Sequence, residues 1–300
     1  MIVGGLSKND LLKDAEFLDF SSDKKAAKLP KPADFPKIVY EHAASFVGGQ
    51  GVVCGGFDTP ECFSYSFSEN EWRKADVLPW SKPRGGAASF TLDGENMYIL
   101  GGRHSMAGLY WDSTLIYAGG KLRNGPYIPR DVYYPCVVPI NGTHVFYAGG
   151  FSDAQGYRKS VCYAHAYLVE VASWTWTRLE DMRAARTKHA CGRAGRSIVV
   201  AGGSGLYNGV TTTEILSLDT LKWSEGPRAP TPSGRIQNAA VFQRKDTFYI
   251  LGGTEGSLVP VLDTVYEFEP EGRKWKKRKE KLSKPRYDFA IIPVPKSVMP

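Results

Sequence analysis

Residues 1–5, MIVGG, read as the end of a buried strand: two β-branched residues, then a glycine pair. The phrase returns as GVVCGG at 51–56, MYILGG at 97–102, VFYAGG at 145–150, IVVAGG at 198–203 and FYILGG at 248–253. Its leading glycines are Gly4, Gly55, Gly101, Gly149, Gly202 and Gly252, separated by 51, 46, 48, 53 and 50 residues. Six copies at so steady a spacing define a repeat architecture. The pairs Gly48-Gly49, Gly85-Gly86 and Gly119-Gly120 fall off this period.

Each copy carries further landmarks in one order. After the glycines comes an alternating stretch: AEFLDF, CFSYSF, STLIYA, AYLVEV, TEILSLD and TVYEFEP. Alternation rich in aromatic and branched residues predicts a half-buried strand. A tryptophan follows in four copies, at Trp72, Trp176, Trp223 and Trp275. A basic residue closes every copy: Lys37, Arg84, Arg130, Arg186, Arg235 and Arg286. The distances from there to the next glycine pair are 18, 17, 19, 16 and 17 residues, room for one more strand and a turn.

Each repeat therefore holds four strands, named here A (after the basic residue), B (ending in Gly-Gly), C and D (carrying Trp). A four-stranded sheet with two apolar faces cannot stand alone; six arranged radially bury both faces. The expected fold is all-β, a six-bladed propeller with four antiparallel strands per blade. The first copy lacks strand A, whereas the last is followed by a strand-like YDFAIIPVP at 287–295 with no B behind it. That segment is expected to complete the first blade and close the ring. One domain, 1–300, results: blade 1 from 1–37 plus 287–295, then blades at 38–84, 85–130, 131–186, 187–235 and 236–286.

Composition agrees with many short strands, with 32 glycines and 12% aromatic residues. No apolar run approaches the ~20 residues of a membrane helix. The first residues do not carry the basic start and long apolar stretch of a signal peptide. Five cysteines, an odd number without regular spacing, are read as reduced thiols of an intracellular protein. Cys54 and Cys62, flanking a tight turn, could face each other across a hairpin. Asn141-Gly142-Thr143 matches a glycosylation acceptor, a pattern short enough to arise by chance.

Gly-Gly, a spaced aromatic, Trp and a closing Arg together resemble the kelch repeat, and the resemblance covers the whole chain. The first copy departs from it, with polar SSDKKAAKLP in place of the Trp, and so does the third, with KLRNGPYIP; blades 1 and 3 are expected to pack less tightly. The resemblance implies a kelch propeller. Kelch proteins include recognition domains of cullin ubiquitin-ligase adaptors, where BTB and BACK domains precede the propeller. Others are actin-associated cytoskeletal scaffolds such as scruin and calicin, and a few are sugar-active enzymes, a mutarotase and an oxidase. No BTB-like or BACK-like helical segment is present here. Starting within strand B, the chain is expected to be a propeller cut from a longer protein.

Catalysis needs converging acids, bases or metal ligands, and the chain has five histidines: His42, His104, His144, His165 and His189. His42 and His189 hold matching places in strand A, read either as ligands at the channel mouth or as repeat-encoded packing; packing is preferred. Tyr and Cys are abundant, but no spacing singles out a copper site. The Gly-Gly pairs end strands and do not lead into helices, so they are not phosphate loops. No catalytic residue, metal or cofactor is assigned, and the expectation is a non-enzymatic interaction domain, cytoplasmic, with a cytoskeletal setting as the alternative.

By the same resemblance, partners dock on the face built by residues just after Gly-Gly and just after the closing Arg. The first set is Leu6, Phe57, Arg103, Phe151, Ser204 and Thr254; the second includes Tyr133, Tyr134, Lys188, Gln237, Tyr287 and Asp288. His104 follows Arg103 in the longest loop. Aromatic and Arg side chains are what interface hot spots are made of. The competing reading folds Phe57 and Phe151 inward over their own blades. For the recurring closing Arg, a structural role in the D-to-A turn is favoured.

The net charge of +7 comes from 38 basic and 31 acidic residues. Residues 271–286 hold nine Lys or Arg and two Glu, again +7, which leaves 29 against 29 elsewhere. This segment is strand D of the sixth blade, on the outer rim: Arg273, Lys274, Lys276, Lys277, Arg278 and Lys279. Trp275 should point into the blade interface, with Lys274 and Lys276 outward and Arg278 and Lys279 near the strand end. Lysine on an exposed edge prevents sheet-to-sheet pairing. Nine cations exceed that task and point to an acidic partner, such as an actin filament. Nucleic acid has no support, since only Trp275 interrupts the run.

Overall fold

The A-to-D order read from the repeats appears as consecutive antiparallel hairpins arranged radially. The computed structural model describes residues 1–20, 30–104, 108–153, 160–256 and 260–298. Blade 2 orders Ala43–Val47, Gln50–Cys54, Glu61–Ser66 and Glu71–Val77. Blade 3 orders Ala88–Phe90, Met97–Leu100, Ser113–Ala118 and Lys121–Tyr127; blade 4 orders Cys136–Pro139, His144–Ala148, Ala166–Glu170 and Thr175–Arg178. Blade 5 runs from Ala190–Ala194 through Ser197–Ala201 and Thr213–Ser217 to Trp223–Glu225. Blade 6 runs from Ala240–Arg244 through Thr247–Leu251 and Thr264–Glu269 to Lys274–Lys281. Among the described residues there is no α-helix.

Blade 1 is assembled from both ends of the chain. Ile2–Leu6 lies between Leu11–Glu16 and the C-terminal Ala290–Ile291, pairing Ile2 with Ile291 and Val3 with Ala290. Leu6 and Tyr287 exchange backbone hydrogen bonds at 2.8 and 2.9 Å, and Ile292 N donates to Met1 O at 2.8 Å. The closing strand is shorter than YDFAIIPVP suggests. Asp288 turns at φ 51°, and Pro293 and Pro295 have no N–H for the ladder. Most of the polar SSDKKAAKLP segment expected at strand D of this blade, 21–29, lies outside the described residues.

Among the described residues the core is divided into six clusters, one between each pair of neighbouring blades. Trp72, Trp176, Trp223 and Trp275 each pack into one of them. Trp72 Nε1 donates to Ala33 O at 3.0 Å, and Trp223 Nε1 to Glu180 O at 2.8 Å, so the ring fills the gap while its N–H stitches adjacent blades. In blade 3, Leu122 takes this place, opposite Tyr117.

The glycine pairs are required by close approach. A Cβ on Gly101, at φ 67°, would lie 2.4 Å from Val132 O. In all six blades the second glycine donates its N–H to the carbonyl at the equivalent of that position: Val39, Arg84, Val132, Arg186, Ile236 and Arg286. This corrects the closing residues read from sequence. Arg84, Arg186 and Arg286 hold the position, but Lys37, Arg130 and Arg235 fall one or two residues short, displaced by Val39, Val132 and Ile236. The site sits at a blade-to-blade junction, where an aliphatic side chain packs as well as a buried guanidinium does.

The cysteines also depart from expectation. Cys54 and Cys62, directly opposite on strands B and C of blade 2, form a disulfide, and Cys136 and Cys191 join strands A of blades 4 and 5. Cys162 is the free cysteine. Four paired cysteines remove the argument for a reducing compartment. Among the described residues no helix is long and apolar enough to cross a membrane.

Candidate functional site

The residues just after Gly-Gly meet those just after the closing position, one pair per blade. Backbone bridges join Leu6 to Tyr287, Gly85 to Arg103, Tyr133 to Phe151, Thr187 to Ser204 and Gln237 to Thr254; in blade 2, Phe57 N donates to Tyr40 O at 3.1 Å. The two sets chosen from sequence thus share one end of the propeller, held by hydrogen bonds rather than by loops.

The next residue in every blade turns into the left-handed region. These are Glu41 (φ 57°), Gly86 (65°), Tyr134 (52°), Lys188 (56°), Asn238 (53°) and Asp288 (51°). Glu41 N donates to Asp288 O at 2.9 Å, Gly86 N to Glu41 O at 2.9 Å, and Tyr134 N to Gly86 O at 2.6 Å. Asn238 N donates to Lys188 O at 3.1 Å and Asp288 N to Asn238 O at 3.0 Å. Thr187 Oγ1 supplies the link to Tyr134 O at 3.4 Å. Five backbone bonds and this one side-chain bond together form a ring around the propeller axis. Above it opens a concave mouth of about 310 Å³, lined by Tyr133, Tyr134, Phe151, Lys188, Gln237 and Tyr287 together with Ser204 and Thr254.

Six of the ten residues proposed for the face are brought together there. The other four lie elsewhere. Phe57 stacks on Tyr40 at 5.2 Å, covering its own blade. Arg103 is turned sideways, its guanidinium 4.4 Å from the Tyr133 ring centroid and 3.7 Å from Glu41 Oε1. His104 pairs with Leu109 in a short antiparallel ladder, and residues 105–107 are outside the described residues. Asp288 lies deeper, on the ring below the mouth.

Burial and the neighbouring Glu41 push the Asp288 carboxyl up to about 8, against the opposing pull of Lys188 and Arg103. Tyr134 is raised well above its usual range by burial, with Asp288 and Glu41 adding to it. His42 and His189 are lowered to about 3 by burial, aided at His189 by Arg186, so both are neutral at pH 7. The His189 ring packs on Gly149: a Cβ there would come within 2.6 Å of Cε1. Among the described residues no three His, Cys, Asp or Glu side chains are grouped to hold a metal.

Sequence reasoning missed Glu41, Thr187, Leu206 and Asn238. The ring carries six different residue types, so no repeat signature marks it. Its one signal is chemical: Gly86, Asn238 and Asp288 are of the types that tolerate positive φ.

On the rim, strand D of blade 6 is less free than its charge suggests. Lys274 and Lys276 share Glu269 at 3.3 and 3.7 Å, and Arg273 Nη2 donates to Ser224 Oγ and Glu225 O at 3.0 Å. Arg278, expected near the strand end as part of the basic rim, is only 14% exposed and pairs with Glu267 and Glu280, each at 2.9 Å. A register shift within this pairing turns both Arg278 and Glu280 inward. Lys277 and Lys279 are exposed and make no ion pair with a described residue.

The repeat landmarks, the six blades and the Gly-Gly junctions agree with a comparison at the family level. The KLHDC2/KLHL20/DRC7 kelch-repeats domain model matches residues 120–299. The chain belongs to the kelch-repeat family. Alpha-scruin of Limulus polyphemus is 27% identical over 136 residues, covering 44% of this chain and 14% of its own length. In this kelch propeller the mouth is the concave feature that gathers most of the candidate face, and a protein-interaction role is what the family supports.

Proposed function

We propose that this kelch propeller is a non-enzymatic protein-interaction domain that receives its partner at the mouth. One observation carries the reading. Aromatic and polar side chains from blades 1, 4, 5 and 6 converge on a 310 Å³ concavity whose backbone is held by cross-blade hydrogen bonds. Rigid aromatic anchors around a concavity supply contact area at low entropic cost. The role would be recognition or scaffolding, of the BTB-kelch adaptor type or a cytoskeletal one, and an intracellular, cytoplasmic setting is part of this proposal. Two substitutions test the site. Phe151→Ser with Leu206→Asp should reduce recovery of co-purifying partners by about tenfold or more, by quantitative mass spectrometry. The melting temperature should be nearly unchanged. Recovery equal to wild type would refute the mouth as the docking site.

A second reading is favoured by Lys277 and Lys279, exposed and free of ion pairs with described residues. These would let the rim contact an acidic filament such as actin, in keeping with the similarity to alpha-scruin.

A further inference from the structure

Beneath the mouth lies a second, smaller chamber of about 180 Å³, and its walls divide by chemistry. Three consecutive ring positions carry oxygen acceptors: Asn238, Asp288 and Glu41. Asn238 Oδ1 and Glu41 Oε2 are buried without a hydrogen-bond partner, and the Glu41 side chain is 7% exposed. His42, also 7% exposed, adds two ring nitrogens without partners. Unsatisfied buried acceptors cost about 1–3 kcal/mol each, more when charged. Such a wall calls for a donor-rich visitor.

We propose that this chamber binds an ammonium or guanidinium group, presented by a Lys or Arg side chain of the partner that docks at the mouth. The cations already nearby leave the place open. Of the two chamber carboxylates Arg103 pairs with Glu41 alone, at Oε1, and its guanidinium lies against the Tyr133 and Tyr134 rings. The Lys188 ammonium lies 4.8 Å from the Tyr134 ring centroid, and among the described residues no ion pair joins it to either carboxylate. A divalent metal is disfavoured, because no three ligating side chains are grouped among the described residues. A guanidinium carries five N–H donors and an ammonium three, which suits several acceptors spread around a ring. Access is direct, since Tyr134, Lys188 and Asn238 line both mouth and chamber.

Occupancy should release a proton. Asp288 faces Glu41, which opposes its ionisation, and Lys188 and Arg103, which favour it; His42 and His189 are neutral near pH 7, and Tyr134 keeps its proton. An arriving cation favours the Asp288 carboxylate, so affinity rises with pH, by up to about tenfold per unit, and levels off near the Asp288 value of about 8.

The source of the group rests on the docking reading above; the chamber itself does not. The test is calorimetric titration of the whole chain with methylguanidinium and propylammonium chlorides, against potassium chloride at equal ionic strength, from pH 6 to 9. Saturable one-to-one binding that strengthens with pH is expected. Asp288→Asn, a residue that also tolerates positive φ, should weaken binding about tenfold near pH 8 and remove the pH dependence. Glu41→Gln should weaken it at every pH, with melting temperatures confirming the fold. No saturable heat with wild type, or equal binding of potassium, overturns the proposal, while loss of partners from the Phe151 and Leu206 variant would leave the docking reading standing. Displacement of a captured partner by methylguanidinium supports a side-chain source. Binding without displacement overturns that source and assigns the chamber to a free small amine.

Discussion

At the junction between blades, aliphatic and arginine side chains solve one packing problem in alternation: Val39, Arg84, Val132, Arg186, Ile236 and Arg286. Each arginine reaches the first glycine carbonyl of the following blade: Arg84 to Gly101 O at 3.1 Å, Arg186 to Gly202 O at 2.9 Å and Arg286 to Gly4 O at 2.9 Å. The guanidiniums make further contacts with Ser113, with Thr212 and Glu214, or with Asp14 and Glu16, while Arg286 Nε is buried without a partner. Arg186 is fully buried and Glu214 is 3% exposed, so neither charge has water to fall back on. Glu214 also accepts from the backbone N–H groups of Arg183 and Ala184 at 2.7 and 3.1 Å, which pins the turn that delivers the arginine. Arg186→Ala would strand that carboxylate and should cost about 3–5 kcal/mol. Arg235→Ala removes an exposed side chain outside this position and should stay within about 0.5 kcal/mol. Urea unfolding of the two variants checks this; comparable losses would mean the buried pair has no special weight.

Among the elements, Lys274–Lys281 shows how pairing reshapes a charge run. Strict alternation would put Lys274, Lys276 and Arg278 on one face and Trp275 and Lys277 on the other. Across the sheet, Glu267 and Glu269 stand beside the first group and neutralise it, and the register shift brings Glu280 in as well. What remains for an acidic partner is Lys277 and Lys279. Changing both to Glu shifts the net charge by −4, from +7 to +3. That variant should fold normally and lose salt-sensitive cosedimentation with filamentous actin, since at 0.15 M salt the Debye length is about 8 Å and only close contacts count. Arg278→Glu should instead lower stability by about 1–3 kcal/mol, because Glu267 and Glu280 would face a third carboxylate. Wild-type protein that fails to sediment with actin even at low salt would leave edge protection as the role of these lysines.

For the whole molecule, closure depends on a few residues. Blades 2 to 6 are built from continuous chain, but blade 1 takes its inner strand from the C-terminus through the pairs Ile2–Ile291 and Val3–Ala290 and the Leu6–Tyr287 bridge. Ile292 and Phe289 are buried in the clusters on either side of this blade. Removing residues 287–300 would expose those clusters and leave one edge of Ile2–Leu6 unpaired. Asp288, one link of the axial ring, would go with them. The truncated chain should lose its single sharp thermal transition, measured by calorimetry or near-ultraviolet dichroism. A melt as sharp and as high as the intact chain would show that the ring does not need this strand.

The amino-acid sequence by itself determined the architecture, because the determinants are local and repeated six times. A Gly-Gly pair that admits no side chain, an alternating strand and a Trp or its substitute specify one blade, and the period counts the blades. The candidate face came from the kelch resemblance, and its two residue sets share one end of the propeller because those beside Gly-Gly bond to those beside the closing position. Only the tertiary structure decided which cations are paired, which cysteines meet, and which side chains converge on the axis. Lys274 and Glu269 are close in sequence, yet Arg186 and Glu214 are 28 residues apart and Cys136 and Cys191 are 55 apart. Glu41, at the start of blade 2, meets Asp288 because the C-terminal strand completes blade 1 beside it. Nothing in either segment records the other, so their shared chamber becomes visible only once the ring is closed.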